Sequence, residues 1–138
     1  MTTVTTYPDY ELNAMADFEA GRCSSASLHT ANPTTVGNNE ATGGSPAYAR
    51  QQLTFASAGQ QGPLGAAIQP ATPGIAWSNE VVFDLPAGTY GWLGLWGFPD
   101  GGDGGSQELK STQALTTSVV MATQGKTAFA FGVGPGVG

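Results

Sequence analysis

Few side chains in this chain are equipped for acid–base, nucleophilic or metal chemistry. There is one histidine, His29, and one cysteine, Cys23, beside 10 Asp and Glu and 4 Lys and Arg in 138 residues. His29 lies in "SLHTANPTTVGNNEATGGSPAYARQQLTF", Ser27 to Phe55. An imidazole acts as a general base when a second polar group orients it and a nucleophile stands within hydrogen-bond reach. Its candidate companions are Cys23, Glu40 and the aspartates, and none has a nucleophile spacing: neither G-x-S-x-G nor H-E-x-x-H occurs. On a short strand over "ASLHT", Leu28 and Thr30 share one face and leave His29 alone on the other. The expectation is an imidazole that hydrogen-bonds the following loop, with no catalytic residue.

The remaining candidates are weaker still. Cys23 follows a helix end beside Arg22, which would lower a thiol pKa slightly, but a small buried cysteine is the commoner case. A zinc site needs three or four N/S ligands, which Cys23 and His29 do not supply. "DGGDGG", with Asp100 and Asp103, lacks the oxygens at alternate positions and the distant glutamate of a calcium loop, and reads as a turn. No lysine follows its glycines and no helix opens after them, so it is not a phosphate loop. No metal and no cofactor is expected. Trp77, Trp92 and Trp96 are the possible binding aromatics, since indole faces stack on sugar rings. For "YGWLGLW" burial in the core is the first expectation and a stacking platform the second.

The elements that position these residues follow from pattern. Residues 9–20 read as a helix with Asp9 as N-cap, Glu11 in the first turn, Gly21 as stop, and Leu12, Met15 and Ala16 on an apolar face bordered by Phe18. Residues 1–8 form an arm. "ASLHT" is a strand, and "ANPTTVGNNEATGGSP" a long loop. "AYARQQLTFAS" alternates as a strand, with Tyr48, Arg50, Gln52 and Thr54 on one face. A short edge strand is expected at Ala66–Ile68 between prolines. Further strands fall around Val81–Asp84, Tyr90–Gly97, Leu109–Leu115, Ser118–Ala122 and Thr127–Phe131, and the Gly-rich tail 132–138 is expected at the periphery or docked on a neighbour. Tyr90, Trp92, Gly94 and Trp96 alternate with Gly91, Leu93, Leu95 and Gly97, a strand buried on both sides. Six to eight strands at spacings of roughly 8–15 residues predict an all-β, antiparallel, jelly-roll-like β-sandwich over 26–131 with one short N-terminal helix. The whole chain is read as a single domain.

Composition narrows the partners. Charged residues make up 10% of the chain, against about 25% in ordinary globular proteins. A surface covered by Thr, Ser, Asn, Gln, Ala and Gly suits a subunit packed against copies of itself or other subunits. The net charge is −6 and the cations Arg22, Arg50, Lys110 and Lys126 are scattered, so nucleic acid and anionic lipid are not expected partners. No apolar run reaches the ~18 residues of a spanning helix, and "MTTVTTYPDY" lacks the regions of a signal peptide. Neither membrane insertion nor an intrachain disulfide is expected.

One resemblance adds to this. Asn13, Ala14 and Met15; Leu28, His29, Thr30 and Pro33; Gly37, Asn39, Glu40, Gly43 and Gly44; and Tyr48, Ala49, Arg50, Leu53, Thr54 and Phe55 together resemble a family of small virion proteins of tailed bacteriophages, frequent in phages of actinobacteria and labelled tail fibre or minor tail protein. Tyr90–Trp96 fits the second half of the pattern. The likeness spans about residues 9–131. It departs at Pro63, Pro70, Pro73 and the long "GFPDGGDGGS" turn. It implies a non-enzymatic structural subunit located in the virion and assembled in the host cytoplasm, a tail-tip or fibre component or else a capsid decoration protein. Its implied partners are copies of itself, plausibly as a homotrimer, other tail or capsid subunits, and a host cell-surface glycan. In this light His29, Thr30, Glu40, Gly43, Gly44, Tyr48 and Arg50 form a structural loop signature. A Glu40–Arg50 ion pair or hydrogen bonds from His29 to the loop are expected to tie the loop to the strands beside it.

Overall fold

The computed structural model describes residues 3, 5–62, 69–99 and 106–137. Their regular structure is mostly β-strand, paired antiparallel throughout, with one helix. The predicted strand at Ala66–Ile68 and the Asp100–Asp103 turn lie outside the described residues. Chain contacts divide the protein into two compact units, one formed by 22–54 and 80–129, the other by 1–21, 55–79 and 130–138. A closed sandwich is not established by these sheets.

The larger unit is built on a four-stranded sheet. Its strands are β1 (Ser25–His29), β2 (Gln51–Gln52), β5 (Gly88–Gly97) and β6 (Glu108–Met121), in the order β2-β1-β5-β6. A separate antiparallel pair joins β4 (Val81–Leu85) to β7 (Gly125–Phe129). Alternation in β4 follows its sequence: Val81, Phe83 and Leu85 are buried, Val82 is exposed, and Asp84 pairs with Lys126 directly across the ladder. Ala26, Leu28, Phe83 and Leu85 are fully buried, and each large side chain among them contributes about 1.5–3 kcal/mol by leaving water. From Leu93 to Gly97 β5 is buried on both faces, as the alternation of aromatics with Leu and Gly predicts.

Two strand predictions change. "AYARQQLTFAS" yields only the two residues of β2, because Tyr48 and Arg50 turn away into contacts of the loop. The two strands expected at Leu109–Leu115 and Ser118–Ala122 are one, β6, yet the break between them is physical. The partner of Trp92 is Ala114 and that of Tyr90 is Val119, so residues 115–118 bulge opposite Gly91.

In the smaller unit α1 (Asp9–Gly21) packs with β3 (Ala76–Trp77) and β8 (Gly132–Val133), which pair antiparallel. The helix starts as predicted, but its first bond runs from Leu12 N–H to the Pro8 carbonyl, so Pro8 holds the N-cap position and Asp9 the first turn. Its buried face also differs: Ala16 and Ala20 are buried while Met15 and Phe18 are exposed. Close backbone approach selects the small residues. A Cβ on Gly134, whose φ is +121°, would lie 2.4 Å from the Ala16 Cβ. Asn13 and Asp17 then accept hydrogen bonds from the Gly74 and Ala58 amides at 2.8 and 2.7 Å, fastening the loops to the helix. The first residues of the Gly-rich tail are not peripheral: Val133 is buried and paired with Ala76.

Gly134→Ala is expected to destabilise the protein by about 1–3 kcal/mol through overpacking and backbone strain. Gly21→Ala, whose Cβ meets nothing within 4 Å, is expected to be neutral. Urea denaturation of both variants checks the pair.

Candidate functional site

The residues singled out around His29 come together on one side of the four-stranded sheet. Side chains of Ser27 and His29 share a face of β1, and the ladder sets Gly94 and Trp92 of β5 beside them. His29 therefore does not stand alone: Ser27, two residues earlier on the same face, is its partner. Both are fully buried.

A directed chain of hydrogen bonds runs through this face. The Trp96 indole N–H donates to Ser27 Oγ at 2.7 Å. Ser27 Oγ lies 2.7 Å from His29 Nε2, and His29 Nδ1 lies 2.7 Å from the Asn38 carbonyl oxygen. A carbonyl only accepts, so Nδ1 carries the proton, Nε2 is the acceptor, and the Ser27 hydroxyl donates to it. Every group has one consistent role.

The outer edge of β1 explains the rest of the signature. Its first half pairs with β2, through Ser25 with Gln52 and Ala26 with Gln51. Its last residue makes an isolated bridge with Glu40, framed by Thr30 N–H to the Asn39 carbonyl and Ala41 N–H to the Leu28 carbonyl. Between these half-partners the Leu28 amide faces a gap. The Tyr48 hydroxyl fills it, accepting from Leu28 N–H at 3.1 Å and donating to Glu40 Oε2 at 3.0 Å. Arg50 closes on the same carboxylate with Nε and a terminal nitrogen at 2.9 and 2.8 Å. Its guanidinium carbon also sits 3.5 Å from the Trp96 ring centroid, a cation–π contact. The expected ion pair and the expected histidine-to-loop bond are both present.

Glycines set the fit. Gly37 has φ +83°, and a Cβ there would lie 2.3 Å from the Trp96 ring. Gly43 and Gly44 have φ of 86° and 93°, and the Gln124 amide accepts from Ser45 N–H and donates to the Pro46 carbonyl. Tyr48 stacks on Phe83 with ring centroids 6.1 Å apart.

Electrostatics follow the contacts. Burial alone would raise the Glu40 carboxyl, but hydrogen bonds from Arg50 and Tyr48 and the guanidinium charge hold it below the ordinary carboxylate range. Burial, with the Glu40 carboxylate beside it, pushes the Tyr48 phenol well above its usual value. Its hydrogen bond to Glu40 raises the Arg50 guanidinium further, against the effect of burial.

Ser27, His29 and the Asn38 carbonyl line up like a nucleophile, base and orienting group, but the surroundings deny that use. Trp96 already occupies the serine oxygen, and a Cβ on Gly94 would lie 2.5 Å from it. On that side β5 closes over the Ser27 hydroxyl. Cys23 is buried. Among the described residues no three His, Cys, Asp or Glu side chains gather as metal ligands, and no helix is long and apolar enough to cross a membrane. Of the three tryptophans, Trp96 is buried under Arg50 and Gly37. Trp77 and Trp92 are half-buried, with the Trp77 indole donating to the Pro70 carbonyl. Sequence reasoning missed Ser27, Asn38 and Gln124; the Ser-x-His spacing on a strand was the signal for the first.

Tyr48→Phe leaves the Leu28 amide without its acceptor and is expected to cost about 1–3 kcal/mol. For Glu40 the lowered carboxyl makes the ion pair's contribution complete above the ordinary carboxylate range and lost as pH falls through the lowered value. The stability difference between the protein and its Glu40→Gln variant should therefore be constant near neutrality and shrink as pH falls through and below the ordinary carboxylate range. Urea titrations at each pH read it directly. No protein-family model, no curated protein and no solved structure matches the chain.

Proposed function

We propose that the chain is a non-enzymatic structural subunit of a tailed-bacteriophage virion, most simply a tail-tip or fibre component working in assembly or host-surface attachment. Its fold in this reading is a jelly-roll-like sandwich that associates with copies of itself and with neighbouring virion proteins. The observation that carries the proposal is the fate of the chain's only histidine. It is fully buried, both ring nitrogens are engaged, and the whole signature serves to fasten a loop to a sheet. Among the described residues no buried side-chain nitrogen or oxygen lacks a partner, so none is held in reserve for a substrate. The sparse charge supports a surface meant for packing.

Capsid decoration is the second reading, favoured by the same uncharged surface. Attachment through a glycan would fall to Trp77 and Trp92, since Trp96 is covered. Quantitative mass spectrometry of purified particles separates the two. A handful of copies per particle is expected for the tail position, and several hundred would move the chain to the capsid surface; absence from particles would refute both. His29→Ala is expected to lower the melting temperature with no loss of any enzymatic activity. A variant that kept its melting temperature and lost a measurable activity would overturn the non-enzymatic reading.

A further inference from the structure

The two ends of the four-stranded sheet are finished differently. At one end β2 is two residues long, and a short edge offers little to a passing strand. At the other end β6 runs for 14 residues without a proline, and no described strand lies on its outer side. From Ser111 to Met121 it carries no charge. Its two charged residues, Glu108 and Lys110, pair with each other at the start of the strand, where Lys110 is only 9% and Glu108 54% exposed, and neither lies on the stretch from Ser111 onward. Thr112, Gln113 and Ala114 are exposed, as are Thr116, Thr117 and Ser118, and Val120 is 70% exposed. Proteins that stay apart blunt such an edge with lysines, prolines or brevity.

We propose that β6 is a self-pairing edge. Lys110–Ala114 of one copy adds antiparallel to the same segment of a second copy about a two-fold axis at Thr112, joining two four-stranded sheets into one. Charge sets the direction in which a second copy pairs. Parallel pairing in register would set Glu108 against Glu108 and Lys110 against Lys110. Antiparallel pairing about Thr112 sets Glu108 opposite Thr116 and Lys110 opposite Ala114, both uncharged. The contact is isologous, so Thr, Ser and Gln side chains meet their own kind and hydrogen-bond across the ladder. It also brings two chains of net charge −6 together along a stretch, Ser111–Met121, that carries no charge.

Local geometry limits the extent. The ladder with β5 is unbroken from Ser111 to Ala114; it shifts register at Lys110 before that stretch and at 115–118 beyond it. Pairing of this kind is two-fold and differs from the trimer that the resemblance implies. It does not depend on where in a particle the chain sits and is tested on the isolated protein.

The test is sedimentation equilibrium of the purified full chain, beside Thr112→Asp and Thr112→Lys. The unsubstituted protein is expected to dimerise reversibly. Each variant places like charges near the axis and should associate roughly tenfold more weakly or worse, with an unchanged circular dichroism spectrum and melting temperature. An equimolar mixture of the two should recover the dimer, because opposite charges then face each other. Should either variant fail to fold, the Gln113→Asp and Gln113→Lys pair replaces it. A protein that stays monomeric up to millimolar concentration overturns the proposal. So does a dimer indifferent to both substitutions, or a mixture that stays monomeric.

Discussion

A buried strand with an incomplete neighbour must satisfy its backbone from elsewhere, and that demand organises the larger unit. β1 is buried along its whole length, while its outer edge meets β2 at one end and Glu40 at the other. An amide left unpaired there would cost about 1–3 kcal/mol. The Tyr48 hydroxyl answers the demand, and its own remaining bond draws in Glu40, then Arg50, then the face of Trp96. The indole N–H passes the sequence on to Ser27, His29 and back to the loop at Asn38. The residues that looked like a site are links in one closed circuit.

The loop is fastened to the core rather than laid over it as a cover. Salt bridges on a surface contribute little on their own, and Glu40–Arg50 in isolation would be one of them. Here the carboxylate also holds the tyrosine that completes a buried strand, so its loss is transmitted to β1. The glycines belong to the same circuit. Gly37 lets the loop lie against Trp96, and a side chain there would push the loop off the sheet.

What the residues disclosed in advance depended on how local the physics was. The helix was readable from its stop signal and first-turn acids, and β4 and β5 from alternation, because those features are properties of the segment alone. The apolar face of the helix was misjudged because Gly134, more than a hundred residues away, admits only Ala16. Tyr48 and Arg50 alternated as a strand should, yet their hydrogen bonds and ring contacts with Leu28, Glu40 and Trp96 outcompeted a ladder that would have extended β2. For the site, the residue types around His29 carried the signal, and the missing member was Ser27. Its i, i+2 spacing puts it on one face with His29, but its bond from Trp96 forms only when β5 lies alongside, a long-range fact no spacing encodes. Asn38 and Gln124 act through a carbonyl in one case and across the unit in the other, and both were invisible for that reason.

If the circuit is one structure, the loop and the sheet should open together. Native-state hydrogen exchange of the Leu28, Thr30 and Ala41 amides, compared with Leu93 and Leu95 in β5, tests this most directly. The account predicts that all five exchange with the same free energy, that of global unfolding. Leu28, Thr30 and Ala41 exchanging through a separate low-energy opening, with Leu93 and Leu95 still protected, would contradict it and return the loop to the status of a lid.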